Sequence, residues 1–244
     1  MRWCGLPVLL LLIFSPCAGA AQEQPENQAK VSKDGFASCF DAQTGGLKGS
    51  EVVRTPVLIS ADGKWRAYAQ SEALASGPEA NGPDCENTSK LYIAGPESKG
   101  FQCVHTVKPQ EQQLLNAIVP VDWSPDGRFL LMNEFLGQWG SDFGEFLVRT
   151  YDVLTGAVSD ERLVERAVTK HVGKKCEFEN SAKGFSPSGA IVIEIEPVRD
   201  EEGPLVPDTC VKVESLLLLD PDRVVVSALP AGYKVQQYGK FAER

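Results

Sequence analysis

The sequence predicts an all-β fold, and three observations predict it. A tight turn of the form Ser-x-x-Gly between apolar strands occurs three times, its serines at 60, 124 and 186, intervals of 64 and 62 residues. Each copy is followed by a second apolar hairpin, so each repeat holds four strands. Only one stretch of the chain has helical spacing of its apolar residues.

The chain opens with Arg2, an apolar run from Leu6 to Phe14 and a small-x-small site at Ala18-Gly19-Ala20. That order predicts a cleavable export signal over 1–20, cut after Ala20 and leaving 224 of the 244 residues. The apolar run is too short to span a bilayer, so no membrane span is expected after cleavage. Residues 21–33 are polar and predict a disordered lead-in. A single domain is expected over 34–230, with repeats at about 50–108, 115–165 and 176–229, followed by a polar tail over 231–244 lying loosely on the surface.

Phe36 to Gly46 predicts a strand and turn, a half hairpin. Its aromatic-Asp pair, Phe40-Asp41, leads two residues later into Thr44-Gly45, as Tyr151-Asp152 leads into Thr155-Gly156. The first repeat turns at Ser60, Asp62 and Gly63 and is completed by Leu91–Ala94 and Phe101–Val107; 71–89, rich in Gly, Pro, Asn and Glu, predicts a loop. The second repeat runs Val119 to Asn133. Val119, Val121 and Trp123 alternate with Pro120, Asp122 and Ser124, the pattern of a strand with one buried face. Pro125, Asp126 and Gly127 supply the fixed φ, the side-chain acceptor and the left-handed position that a type I turn with a bulge uses. Phe129 to Met132 is continuously apolar and predicts a strand covered on both faces. Glu145–Val153 and Ala157–Leu163 complete that repeat after a glycine-rich loop at 137–144. Leu163, Val164, Ala167 and His171 share one helical face, with Ser159 as an N-cap. The third repeat turns at Ser186, Pro187 and Gly189 and is completed by Val211–Asp220 and Arg223–Leu229, with an acidic loop at 199–208.

Trp123-Ser124-Pro125-Asp126-Gly127-Arg128 resembles the signature of WD-repeat-like β-propellers of the TolB type, whose repeats are also seen in prolyl-oligopeptidase-like proteins. The first copy keeps Ser60, Asp62 and Gly63, with Ile59 and Ala61 in place of Trp and Pro. The third keeps Ser186, Pro187 and Gly189, with Phe185 and Ser188 at the other places. The resemblance implies a β-propeller-like fold of about three four-stranded antiparallel blades plus the N-terminal half hairpin. Three blades are fewer than a closed ring usually has, so an open or incomplete ring is expected, closed by the half hairpin joining the last repeat or by a homodimer.

Removal of the signal leaves Cys39, Cys85, Cys103, Cys176 and Cys210, consistent with an oxidising compartment, secreted or periplasmic. Placement of each pair within one repeat favours Cys85–Cys103 and Cys176–Cys210, with Cys39 as the odd thiol. No CxxC exists and His105 and His171 are the only histidines, so no metal site is expected. The net charge of −9, with no basic run, argues against nucleic acid as a partner.

No GxSxG or HExxH motif is present, and no cofactor is expected. Glu194 and Glu196 alternate with Ile193, Ile195 and Pro197 and share one face of a strand. Asn87-Thr88-Ser89 is a glycosylation sequon. Trp139, with Gln138 and Asp142 in the glycine-rich loop, is the expected contact residue for a protein or peptide. The functional expectation is therefore an exported, non-catalytic module binding a protein or peptide in the cell envelope or outside the cell. The alternatives are a glycan- or peptide-acting enzyme using the Glu194 and Glu196 carboxylates, and a purely structural envelope protein.

Overall fold

A computed structural model describes residues 29–41, 43–76, 84–110, 115–138, 144–200, 203–204, 207, 210, 215–221, 223–230 and 232–242. They build mostly β-structure, in three main antiparallel sheets with one short helix.

The first sheet contains β1 (Lys30–Val31), β2 (Glu51–Arg54), β3 (Leu58–Ile59), β4 (Arg66–Ser76), β5 (Asp84–Ala94) and β6 (Gln102–Val107). β2 and β3 lie along the same edge of β4 as one interrupted strand. The interruption falls at Pro56, which has no N–H to give a ladder. Thr55 bridges it: its N–H donates to Ala69 O and its Oγ1 accepts the Ala69 N–H, both at 2.9 Å. β4 and β5 pair over their full length, so much of 71–89 is strand and not the loop that its composition predicts. Small residues decide this. Ala67, Ala69, Ser71 and Ala73 form a narrow buried stripe that lets neighbouring chain approach closely.

The second sheet is β7 (Leu115–Trp123), β8 (Phe129–Gly137), β9 (Gly144–Asp152) and β10 (Ala157–Val158), paired in that order. A bulge between Pro120 and Asp122 shifts the register, so both Asp122 and Trp123 are buried. Helix α1 (Leu163–Val172) follows. It buries Val164, Ala167 and Val168, while His171 is exposed. Its N-cap is Arg162, because the Ser159 hydroxyl is engaged in accepting the Thr150 N–H.

The third sheet is β11 (Phe178–Phe185), β12 (Ile191–Pro197), β15 (Leu216–Asp220) and β16 (Val225–Ala228); the two-residue strands β13 (Arg199–Asp200) and β14 (Gly203–Pro204) form a small hairpin within the connection between β12 and β15. Finally β17 (Lys240–Phe241) returns to the first sheet and pairs with β3.

The second sheet is the middle layer. Leu130 and Met132 face the first sheet in one core with Leu58, Leu91, Ile118 and Trp123. Leu131, between them in sequence, faces the third sheet in another core with Phe185, Ile193, Leu217 and the α1 residues. All three side chains are 0% exposed, which is why their run is continuously apolar. A third, smaller core holds Ala37, Cys39, Val53, Ala73 and Cys85. The N-terminal half hairpin thus packs on the first sheet, with Phe40 bridged to Leu47, and does not join the last repeat.

Among the described residues two disulfides are seen, Cys39–Cys85 and Cys176–Cys210. The expected Cys85–Cys103 pair is corrected. Cys85 stands opposite Ala75 at one end of β5, whereas Cys103 stands opposite Tyr92, seven residues along the same strand. That is a separation of roughly 23 Å at strand rise, far beyond disulfide reach. The half hairpin instead brings Cys39 to Cys85, with a Cα–Cα distance of 5.7 Å.

Candidate functional site

Apart from the short parallel pair β1–β2, neighbouring strands run antiparallel, so each sheet has a turn end and a connection end. The turn ends coincide across the first two sheets: a Cβ built on Gly127 lies 3.6 Å from Asp62 Oδ1. Asp122 of β7 lies beside Gly184 of β11 near the same end of the other pair. At the opposite end Asn116 of β7 donates to the Asn87 carbonyl of β5.

The turn end is built from one device used three times. Ser60 Oγ donates to Asp62 Oδ1 at 2.7 Å and accepts the Trp65 N–H at 3.0 Å. Ser124 Oγ donates to Asp126 Oδ1 at 2.6 Å and accepts the Phe129 N–H at 2.8 Å. Ser186 Oγ is 2.9 Å from Ser188 Oγ and accepts the Ala190 N–H at 3.0 Å. Gly63, Gly127 and Gly189 each return an N–H to their serine carbonyl, at positive φ of 74°, 73° and 84°. The Ser60 hydroxyl, with the Lys64 N–H, holds the Asp62 carboxyl at about 2. The Ser124 hydroxyl likewise lowers Asp126. These residues are saturated by their own turns.

The interruptions 77–83, 138–143 and 198–215 join strand ends at the connection end, and the helical segment leads back to it at Phe178, whereas 95–101 joins β5 to β6 at the turn end. Gln138 is exposed at the close of β8, while Trp139 and Asp142 lie outside the described residues. Beside Gln138, Glu145 at the start of β9 receives Arg162 at 3.1 Å, and Arg162 also reaches Glu165 at 2.8 Å. Asn87 of the sequon is 0% exposed and donates to the Ala37 carbonyl at 2.7 Å, so the folded protein withholds it from modification.

Glu194 and Glu196 share the outer face of β12, but they do not act as a free pair. Lys183 on β11 sits 2.5 Å from Glu194, while Glu196 is exposed. No hydrogen bond or ion pair among the described residues joins either to Gln138.

Sheet packing also assembles a charged cluster that no sequence spacing announced. His105 Nε2 of β6 lies 3.1 Å from Glu134 Oε2 of β8, 29 residues away in the chain. Arg149 of β9 stands 3.7 Å from Glu134 and 3.8 Å from Glu161. Its Nε donates to the Ser159 carbonyl at 2.9 Å. A histidine oriented by a carboxylate is a unit of acid–base chemistry. Here the side chains of His105 and Glu134 keep only 18% and 6% exposure, and the guanidinium caps the carboxylate. The cluster pins the first sheet to the second and offers little surface to a substrate.

A second carboxylate lies where the inner strands β3, β7 and β11 meet. Asp122 is 0% exposed, and its Oδ1 accepts N–H groups from Trp123, Tyr238 and Gly239 at 2.9, 3.0 and 2.7 Å. Burial pushes its carboxyl above the usual range, against the pull of those N–H donors.

Among the described residues no group of three or more His, Cys, Asp or Glu side chains is placed to hold a metal ion. Nor is any described helix long and apolar enough to cross a membrane. No family model, no curated protein and no solved structure matches the chain.

Proposed function

We propose that this chain is an exported, non-catalytic binding module of β-propeller-like build that engages a protein or peptide partner in the cell envelope or outside the cell. The observation that carries this reading is the division of labour between the two ends. One end is closed by three self-satisfied serine turns, and the other gathers one long connection from each sheet, 77–83, 138–143 and 198–215. Rigid sheets displaying irregular connections from one end are the usual way a scaffold presents a binding surface.

The propeller-like reading draws support from one seven-stranded and two four-stranded sheets, stacked with β3, β7 and β11 innermost. Among the described residues they do not close into a ring, consistent with an open arc of three blades. Export draws support from Cys39–Cys85 and Cys176–Cys210, since such bonds persist in oxidising compartments.

Crosslinked capture from the protein's own extracellular or periplasmic fraction tests the reading. The wild-type chain is expected to retain a specific partner. Gln138→Ala combined with Trp139→Ala is expected to lose it, and Asp62→Ala, at the turn end, to keep it. A partner kept by the first variant and lost by the second, or no partner at all, refutes the assignment.

A further inference from the structure

Residues 236–241 cross the molecule as an extended segment over the inner strands. Gln236 bridges Phe185 of β11. Tyr238 and Gly239 give successive N–H groups to Asp122 of β7. Lys240 and Phe241 pair with Ile59 and Leu58 of β3, and the Ala242 N–H donates to the Val57 carbonyl at 2.8 Å. One short segment touches the innermost strand of each sheet, which corrects the expectation of a loose tail.

The way this segment is held is informative. Gln236, Gln237, Lys240 and Phe241 are exposed, so over most of the segment the groove grips main chain, while Tyr238 is half-buried against the third-sheet core. Gly239 is held most closely. A Cβ there would lie 2.9 Å from Leu58 Cδ1 and 3.2 Å from Trp123 Cδ1. The bulge at Pro120–Asp122 leaves a buried carboxylate aimed at two consecutive N–H groups of whatever strand lies in the groove. β7 and β11 are the last strands of their sheets on this side, and beyond β3 lies β17 of the tail alone, so a strand laid in the groove meets outward N–H and C=O groups of the inner strands. Main-chain pairing along a sheet edge with a small residue at one register position is how extended peptides are taken up by strand addition.

We propose that the groove between β3, β7 and β11 is a binding site for an extended peptide segment of a partner protein, one with glycine opposite Leu58 and Trp123, and that residues 236–241 are its resident competitor. The tether gives that competitor an effective concentration on the order of millimolar. An incoming peptide therefore binds when its own contacts exceed those of the tail or when the tail is released. The site is distinct from the connection end, and each assignment stands or falls without the other.

The test uses the full chain carrying Gly239→Val, whose side chain collides with Leu58 and Trp123 and frees the tail. A fluorescent peptide of residues 233–242 is titrated into both chains and followed by anisotropy. Binding to the variant at least ~10-fold tighter than to the wild type is expected, because the tethered competitor is gone. The same peptide with valine at the glycine position is expected to bind neither chain. Hydrogen exchange on the wild-type chain supplies a readout that does not depend on the variant folding. The Tyr238 and Gly239 amides are expected to exchange at least ~10-fold faster than that of Leu131, through local release. Exchange of these amides only at the rate of Leu131 overturns the proposal, as does failure of the peptide to bind a folded Gly239→Val chain. A wild-type dimer that exchanges its tails, seen by light scattering, also overturns it by making a second copy the occupant.

Discussion

Arg128 and Asp152 show how single residues fasten the turn end. Arg128 Nε and Nη2 meet Asp152 Oδ1 and Oδ2 at 3.2 and 2.8 Å, a two-point contact between the start of β8 and the end of β9. That guanidinium holds the Asp152 carboxyl at about 2, against an ordinary 3.8. A carboxyl lowered on folding stabilises the fold fully above its unfolded value and ceases to do so as pH falls through the folded one. The contribution of Asp152 is therefore intact above about pH 4 and fades towards pH 2. Urea midpoints measured between pH 5 and pH 2 should drop less steeply for Asp152→Asn than for the wild type; parallel curves refute this. The serine turns were legible at this scale because each is built within a few residues. The His105–Glu134 pair was not, because nothing local to either residue encodes contact across a sheet interface.

The elements differ in how much of themselves the chain discloses. β8 was readable, since a strand enclosed on both faces must be apolar throughout, and Leu130, Leu131 and Met132 are. β1 and β17 were not, because two-residue strands have no period and are fixed by what they meet. The same holds for the N-terminal half hairpin. Its turn was visible in Asp41, Thr44 and Gly45, where the Gly45 N–H donates to the Asp41 carbonyl at 2.8 Å, as Gly156 does to Asp152. Its docking on the first sheet through Cys39–Cys85 was not. That bond spans a sequence separation of 46 and adds about 4 kcal/mol in the loop-entropy model. Replacing both cysteines by serine should cost about that much in urea unfolding. It should also open 36–50 to limited proteolysis while β8 stays protected. An unchanged midpoint and digest refute this role.

For the molecule as a whole, the stacking order sets a hierarchy of stability. The second sheet is covered on both faces, while the first and third each turn one face outward. Amides of Leu130, Leu131 and Met132 should therefore be the slowest to exchange, requiring global unfolding. Those of β16 and β1 should exchange through local opening. Equal protection across the three sheets refutes the layered order. The all-β class and the doubly covered strand β8 could be read from the chain; the stacking depends on glycine, alanine and asparagine contacts whose meaning appears only in three dimensions.

β1 and β17 lie along the same edge of the first sheet, β1 against Val53 and Arg54 and β17 against Leu58 and Ile59. Four residues of strand separate Arg54 from Leu58, roughly 13 Å. A short linker can thus join residues 242 and 30 in a circular permutant, with new ends cut into one of the connections, such as 77–83. Such a rearranged chain would keep every sheet while leaving no terminus beside the groove.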